Sequence, residues 1–104
     1  MIKLTEDNFD STVSTGIVLV KFGANWCGPC KMLDRILINV DKKYESDSNV
    51  ILCYVDVDES PKIAATFNIT SVPTIIFSKN ASIVERFNGI KSENDIVDMI
   101  ESLK

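Results

Sequence analysis

Trp26-Cys27-Gly28-Pro29-Cys30 is the part of this chain best equipped for chemistry. Two thiols with two residues between them can close a disulfide at the start of a helix. Unpaired N–H groups and the helix dipole there favour a thiolate over a thiol, which makes Cys27 the sulfur expected to attack. Cys30, one turn further on, is placed to attack a mixed disulfide formed on Cys27. Pro29 suits the first turn, where its missing N–H is not needed. Gly28 leaves room for another backbone to approach the sulfur. Two plainer readings compete. Half a zinc site would need two more ligands, but the chain has no His and only one other cysteine, Cys53. A structural staple would close so short a loop that it would hardly constrain the unfolded chain.

The elements around the motif can be read from hydrophobic spacing. Ile2 to Leu4 predicts a short strand. A first helix carries Phe9 and Val13, with Thr5 or Asp7 as its cap, and closes at Gly16. Ile17 to Phe22 is almost wholly apolar and β-branched, the pattern of a strand covered on both faces. Leu33, Ile36, Leu37, Val40 and Tyr44 then form one stripe of a long helix. Val50 to Val57 predicts a second buried strand, and Ser60-Pro61 a capped short helix with Ile63, Ala64 and Phe67 apolar. Thr74 to Phe77 and Ser82 to Phe87 predict a hairpin turning at Lys79-Asn80. Ser92 and Asp95 form a capping-box pattern before the stripe Ile96, Met99, Ile100 and Leu103. The result is an α/β domain with βαβ units first and a hairpin plus helix last.

At 104 residues, 45% hydrophobic and 25% charged, the chain has the balance of one globular domain, residues 1–104. A net charge of -4 argues against nucleic acid as the main partner. No apolar run approaches the length of a membrane span. The N-terminus lacks a secretory pattern, and three cysteines are too few and too odd for a secreted disulfide scaffold. A cytoplasmic location is therefore expected, and the sequons Asn68-Ile69-Thr70 and Asn80-Ala81-Ser82 carry no weight. Cys53, among Ile51, Leu52 and Val55, is expected to be a buried, inert thiol. Met32 and Met99 are read as packing residues. Asp41, Glu45, Asp47, Glu93 and Asp95 are read as solvated surface.

Trp-Cys-Gly-Pro-Cys-Lys-Met, Asp56-Val57-Asp58 with Pro61, Val72-Pro73-Thr74 and Phe87-Asn88-Gly89 together resemble the thioredoxin family over essentially the whole chain. The resemblance implies the thioredoxin fold, a central mixed five-stranded sheet in order 1-3-2-4-5 flanked by four helices. It implies Cys27 as exposed nucleophile, Cys30 as shielded resolving thiol, and a cis bond between Val72 and Pro73. Trp26, Gly28, Pro29, Val72, Pro73 and Gly89 would form an apolar substrate rim. No metal or bound organic cofactor is needed. The implied partners are disulfide-containing proteins and a flavin- and nicotinamide-dependent thioredoxin reductase, and the chain would act as a monomer. The implied activity is reduction of protein disulfides; a more oxidising oxidant or isomerase, or a non-enzymatic subunit of the same fold, are the alternatives.

Three residues depart from the family pattern. Lys21 stands where most members carry a buried Asp, Tyr54 where bacterial members often carry Lys, and Arg35 where the long helix usually has Pro. Without that proline the helix loses its usual cause of a kink. Lys21 would lie under the motif near Tyr54, unless it reaches out to the surface. Uncharged, it could take the Cys30 proton; charged, it would attract thiolate. Either role predicts a more oxidising couple than a carboxylate would give.

Overall fold

The computed structural model describes Met1–Lys104. Its elements are β1 (Ile2–Lys3), α1 (Phe9–Val13), β2 (Ile17–Gly23), α2 (Gly28–Lys43), β3 (Val50–Asp56), α3 (Pro61–Thr66), β4 (Thr74–Lys79), β5 (Ser82–Asn88) and α4 (Glu93–Leu103). The sheet order is β1-β3-β2-β4-β5, as the family resemblance implied. Central β2 pairs in parallel with β3 and antiparallel with β4. All seven of its residues are buried, which accounts for its nearly unbroken apolar sequence.

Strand alternation divides the core into two layers. Ile17 and Leu19 of β2, Val50 and Leu52 of β3, and Ile75 and Phe77 of β4 pack with Leu33, Leu37 and Val40 of α2 and Ile96 and Ile100 of α4. Val18, Val20 and Phe22, with Cys53, Val55 and Ile76, face the other way against Leu4 and Ile63, with Phe9, Val13 and Phe67 packed beside them. Each fully buried aliphatic or Phe side chain in these layers contributes about 1.5–3 kcal/mol. The same alternation puts Lys21 and Gly23 in the row of Ile17 and Leu19, on the α2 side. Tyr54, the register partner of Lys21, continues the matching row of β3.

Several local expectations are corrected. The residue before α1 is Asn8, not Thr5 or Asp7, and its side chain instead accepts from the Thr5 N–H and donates to the Lys3 carbonyl. Ser60 precedes α3 but makes no side-chain cap; it is buried, and its N–H donates to the Asp56 carbonyl. Met32 projects from α2 with 59% of its surface exposed, because it falls off the Leu33–Leu37–Val40 stripe. Ser92 caps α4 as expected, accepting from the Asp95 N–H at 3.1 Å. Helix α2 runs without interruption over 16 residues.

The β4–β5 hairpin turns on Asn80 and Ala81, one residue later than expected. Both have positive φ, 49° and 72°. Two left-handed residues at the corner match the twist of the flanking strands, which is why Asn-Gly is the favoured pair there. Asn80 tolerates the conformation and also accepts the Gly16 N–H at 3.0 Å. Ala81 does not, since its Cβ crowds the following carbonyl. Ala81→Gly is therefore expected to stabilise the fold by about 0.5–1 kcal/mol, the relief exceeding the added freedom of the unfolded chain. Urea denaturation would show this as a raised midpoint at unchanged slope; a lowered midpoint would contradict it.

Candidate active site

Strand β2 ends at Gly23, and four residues later Cys27 caps α2. The turn is fixed by two backbone bonds: the Val57 N–H donates to the Gly23 carbonyl and the Cys27 N–H to the Ala24 carbonyl. Cys27 is in extended conformation and its Sγ accepts the Cys30 N–H at 3.1 Å. The sulfur thus takes the place of the side-chain oxygen of an ordinary N-cap, against the orphan N–H groups of the first turn. Pro29 sits in that turn without losing a bond. Cys27 and Cys30 are joined as a disulfide with their Cα atoms 5.3 Å apart.

Exposure corrects one expectation. In this oxidised form Cys27 is only 4% exposed and Cys30 1%. Ala24 packs with both, with Val57 and Val72 against them. Cys27 is the less enclosed of the two, but it is not an open thiol. Its Sγ lies 3.7 Å from the Val72 carbonyl oxygen. Gly28 has nothing within 4 Å of where a Cβ would stand, so the approach to the sulfur is clear on that side.

The expected rim residues take different stations. Trp26 is 71% exposed, with its indole Nε1–H donating to Asp58 at 2.9 Å. Asp58 is brought there by Asp56, whose carboxylate accepts the Asp58 and Glu59 N–H groups at 2.9 and 3.2 Å. Burial alone would raise the Asp56 pKa; those N–H bonds and nearby Lys3 hold it below the usual carboxylate range. Val72 is half-buried and the Val72–Pro73 bond is cis. Pro73 is buried, and it immediately precedes β4. The Pro73 carbonyl accepts the Gly89 N–H at 2.8 Å, and Gly89 has φ +88°, where a side chain would be strained. Thr74 Oγ1 secures the same corner, donating to the Ser71 carbonyl at 2.7 Å.

Lys21 lies inside. Its side chain is 8% exposed and its Nζ is 2.6 Å from a carboxylate oxygen of Asp34, on α2 one turn beyond Cys30. The Tyr54 ring lies on another side, its centroid 5.6 Å from Nζ. Asp34 drew no attention in the sequence. Its signal was there, in the buried β2 row aimed at α2 and in a lone carboxylate four residues after Cys30. No group of three or more His, Cys, Asp or Glu gathers as a metal site.

The thioredoxin family model matches residues 1–102. The chain belongs to the thioredoxin family. Relatives named thioredoxin agree with this. That of Staphylococcus saprophyticus is 37% identical over 101 residues, covering 97% of this chain and 95% of its own. Those of Staphylococcus haemolyticus and Staphylococcus aureus are 34% and 35% identical over the same shares. Within the family the Cys27–Cys30 pair is the redox pair of a thiol–disulfide oxidoreductase. No helix is long and apolar enough to cross a membrane.

Cys53 stands apart from this chemistry. It is fully buried, 3.2 Å from the Leu19 carbonyl, and burial pushes its thiol from 9.0 up to about 12. Cys53→Ala is expected to leave disulfide reduction unchanged and to cost about 1 kcal/mol at neutral pH. Because the folded thiol titrates higher than the unfolded one, its contribution is complete below pH 9.0 and fades as pH rises toward about 12. The stability gap between mutant and wild type should therefore narrow above pH 9.0. A severalfold fall in turnover would give Cys53 a redox role.

Proposed function

We propose that this protein reduces disulfides of other proteins, with Cys27 as nucleophile and Cys30 as resolving thiol. The observation that carries the assignment is the disulfide across the first turn of α2, in which Cys27 is the cap and the less enclosed sulfur. Cys27 thiolate attacks one sulfur of the substrate disulfide and the other leaves as a thiolate. Cys30 loses its proton and attacks Cys27 Sγ, the substrate's second sulfur leaves, and the Cys27–Cys30 bond is restored. The substrate gains two electrons and two protons; the protein loses them.

Trp26, Gly28, Pro29, Val72 and Gly89 form the substrate face, and Pro73 supports it from behind. The Val72 carbonyl beside Cys27 offers an edge against which an extended substrate segment could pair. Lys21 governs the proton of the resolving thiol. No metal or bound organic group enters these steps. Electrons return from a flavin- and nicotinamide-dependent thioredoxin reductase, and the protein works as a monomer in the cytoplasm. A free, buried third cysteine fits that reducing compartment.

Cys27→Ser should abolish reduction of insulin disulfides. Cys30→Ser should still attack once and accumulate a mixed disulfide, seen by mass spectrometry as an adduct on Cys27. Limited alkylation of the reduced protein at mildly acidic pH should label Cys27 first. Faster labelling of Cys30 or Cys53 would reverse the assignment.

A further inference from the structure

Gly23 is the key to how Lys21 meets the redox pair. Its φ lies outside the left-handed region, so the backbone does not require glycine there. Space does. A Cβ built on Gly23 would stand 3.0 Å from Lys21 Nζ and 3.3 Å from Cys30 Sγ. The missing side chain leaves a gap shared by the ammonium and the resolving sulfur, with no protein atom of residue 23 between them. We propose that the Lys21 ammonium, anchored by Asp34 and open to Cys30 through the gap at Gly23, stabilises the Cys30 thiolate and makes the Cys27–Cys30 couple more oxidising.

The geometry favours an ammonium acting as a charge over a neutral amine acting as a base. Asp34 holds Nζ at 2.6 Å, a charge-assisted contact that an uncharged amine would weaken. Asp34 is thereby a positioning residue, anchoring the charge without touching the sulfurs, and it is partly solvated, with 43% of its side chain exposed. The cleft they share has a volume of about 490 Å³ and also receives Lys31 and Asp41 from α2, Tyr54 and Asp56 from β3, and Met1. The Met1 amine is spent on Asp41 at 3.1 Å, and the Asp56 carboxylate on backbone N–H groups. Among the cations of this cleft, Lys21 is the one whose Nζ borders the gap at Gly23 together with Cys30 Sγ. The Cys30 proton, on this scheme, leaves to solvent rather than to a protein base.

Only the reduced state carries a thiolate, so a cation beside it favours reduction. Reduction breaks the Cys27–Cys30 bond and takes two electrons from two glutathione thiols, which leave joined as glutathione disulfide. Their protons go to the protein sulfurs or to solvent. This inference rests on the proposed exchange reaction, yet the equilibrium reads the charge whichever cysteine attacks first. A wrong assignment of roles would appear in the alkylation order; a wrong electrostatic account would appear here.

The test is a glutathione-equilibrium titration at pH 7 of the full chain as wild type, Lys21→Gln, Asp34→Asn and Gly23→Ala. Lys21→Gln should shift the equilibrium about tenfold toward the disulfide, a potential about 30 mV lower. Asp34→Asn removes the neutralising carboxylate while the enclosed ammonium stays, and should shift it severalfold toward the dithiol. Gly23→Ala changes no charge but wedges a methyl into the gap, and should move it in the direction of Lys21→Gln by a smaller factor. A merely structural role would not split the two charge variants in opposite directions. An unchanged equilibrium in Lys21→Gln, or the same direction for both charge variants, would overturn the proposal, and Gly23→Ala decides it alone should Lys21→Gln fail to fold.

Discussion

The N-terminus of α2 is bonded to the end of a strand that cannot move. Strand β2 has hydrogen-bonded neighbours on both sides and core on both faces, so Gly23 is fixed to within the packing tolerance of the interior. Only three residues separate it from Cys27, and the Val57 and Cys27 N–H bonds define their path. The first turn of α2, with its unpaired N–H groups, is therefore delivered to one place. A sulfur rather than an oxygen caps it, and the resolving sulfur lies on the next turn. Loosening this junction would spoil the capping bond, the approach of Val72 and the reach of Lys21 together.

From that junction the charge arrangement follows by alternation. Ile17, Leu19, Lys21 and Gly23 point to the α2 side, and the row becomes polar only where it comes beneath the redox pair. Tyr54 and Asp56 continue the matching row of β3. Desolvating a cation in such a place is costly, and the partly solvated Asp34 offsets part of that cost. Beneath the motif this chain carries an ammonium tied to the helix. Its counter-carboxylate, Asp34, stands on a partly solvated turn of α2, so the sulfur meets the positive member of the pair.

Much of this was legible in the chain. The apolar run Ile17–Phe22 and the Leu33–Val40 stripe are strong periodic signals, and they specify the strand and helix that carry the motif. The cysteine pair names its own chemistry. What escaped was set by contacts between distant residues or by single-residue geometry. The Trp26–Asp58 bond joins residues 32 apart, and the Lys21–Asp34 pair needs both the strand row and the helix face to be known at once. Pro73 was placed on the rim by the family resemblance, and its burial just before β4 is set by packing that the sequence does not display. Met32 was read as core from its type, though its position off the apolar stripe argued otherwise. The hairpin corner slipped by one residue because Ala81 occupies a conformation that alanine avoids.

The first turn of α2, which Cys27 caps through its sulfur, favours the thiolate at Cys27. The direct measurement is the pH dependence of iodoacetamide alkylation at Cys27 in the reduced protein, read by mass spectrometry of the labelled peptide. The account predicts a single midpoint well below the free-cysteine value of about 8.5. A midpoint at or above that value would contradict it, for then the helix terminus would not be favouring the thiolate.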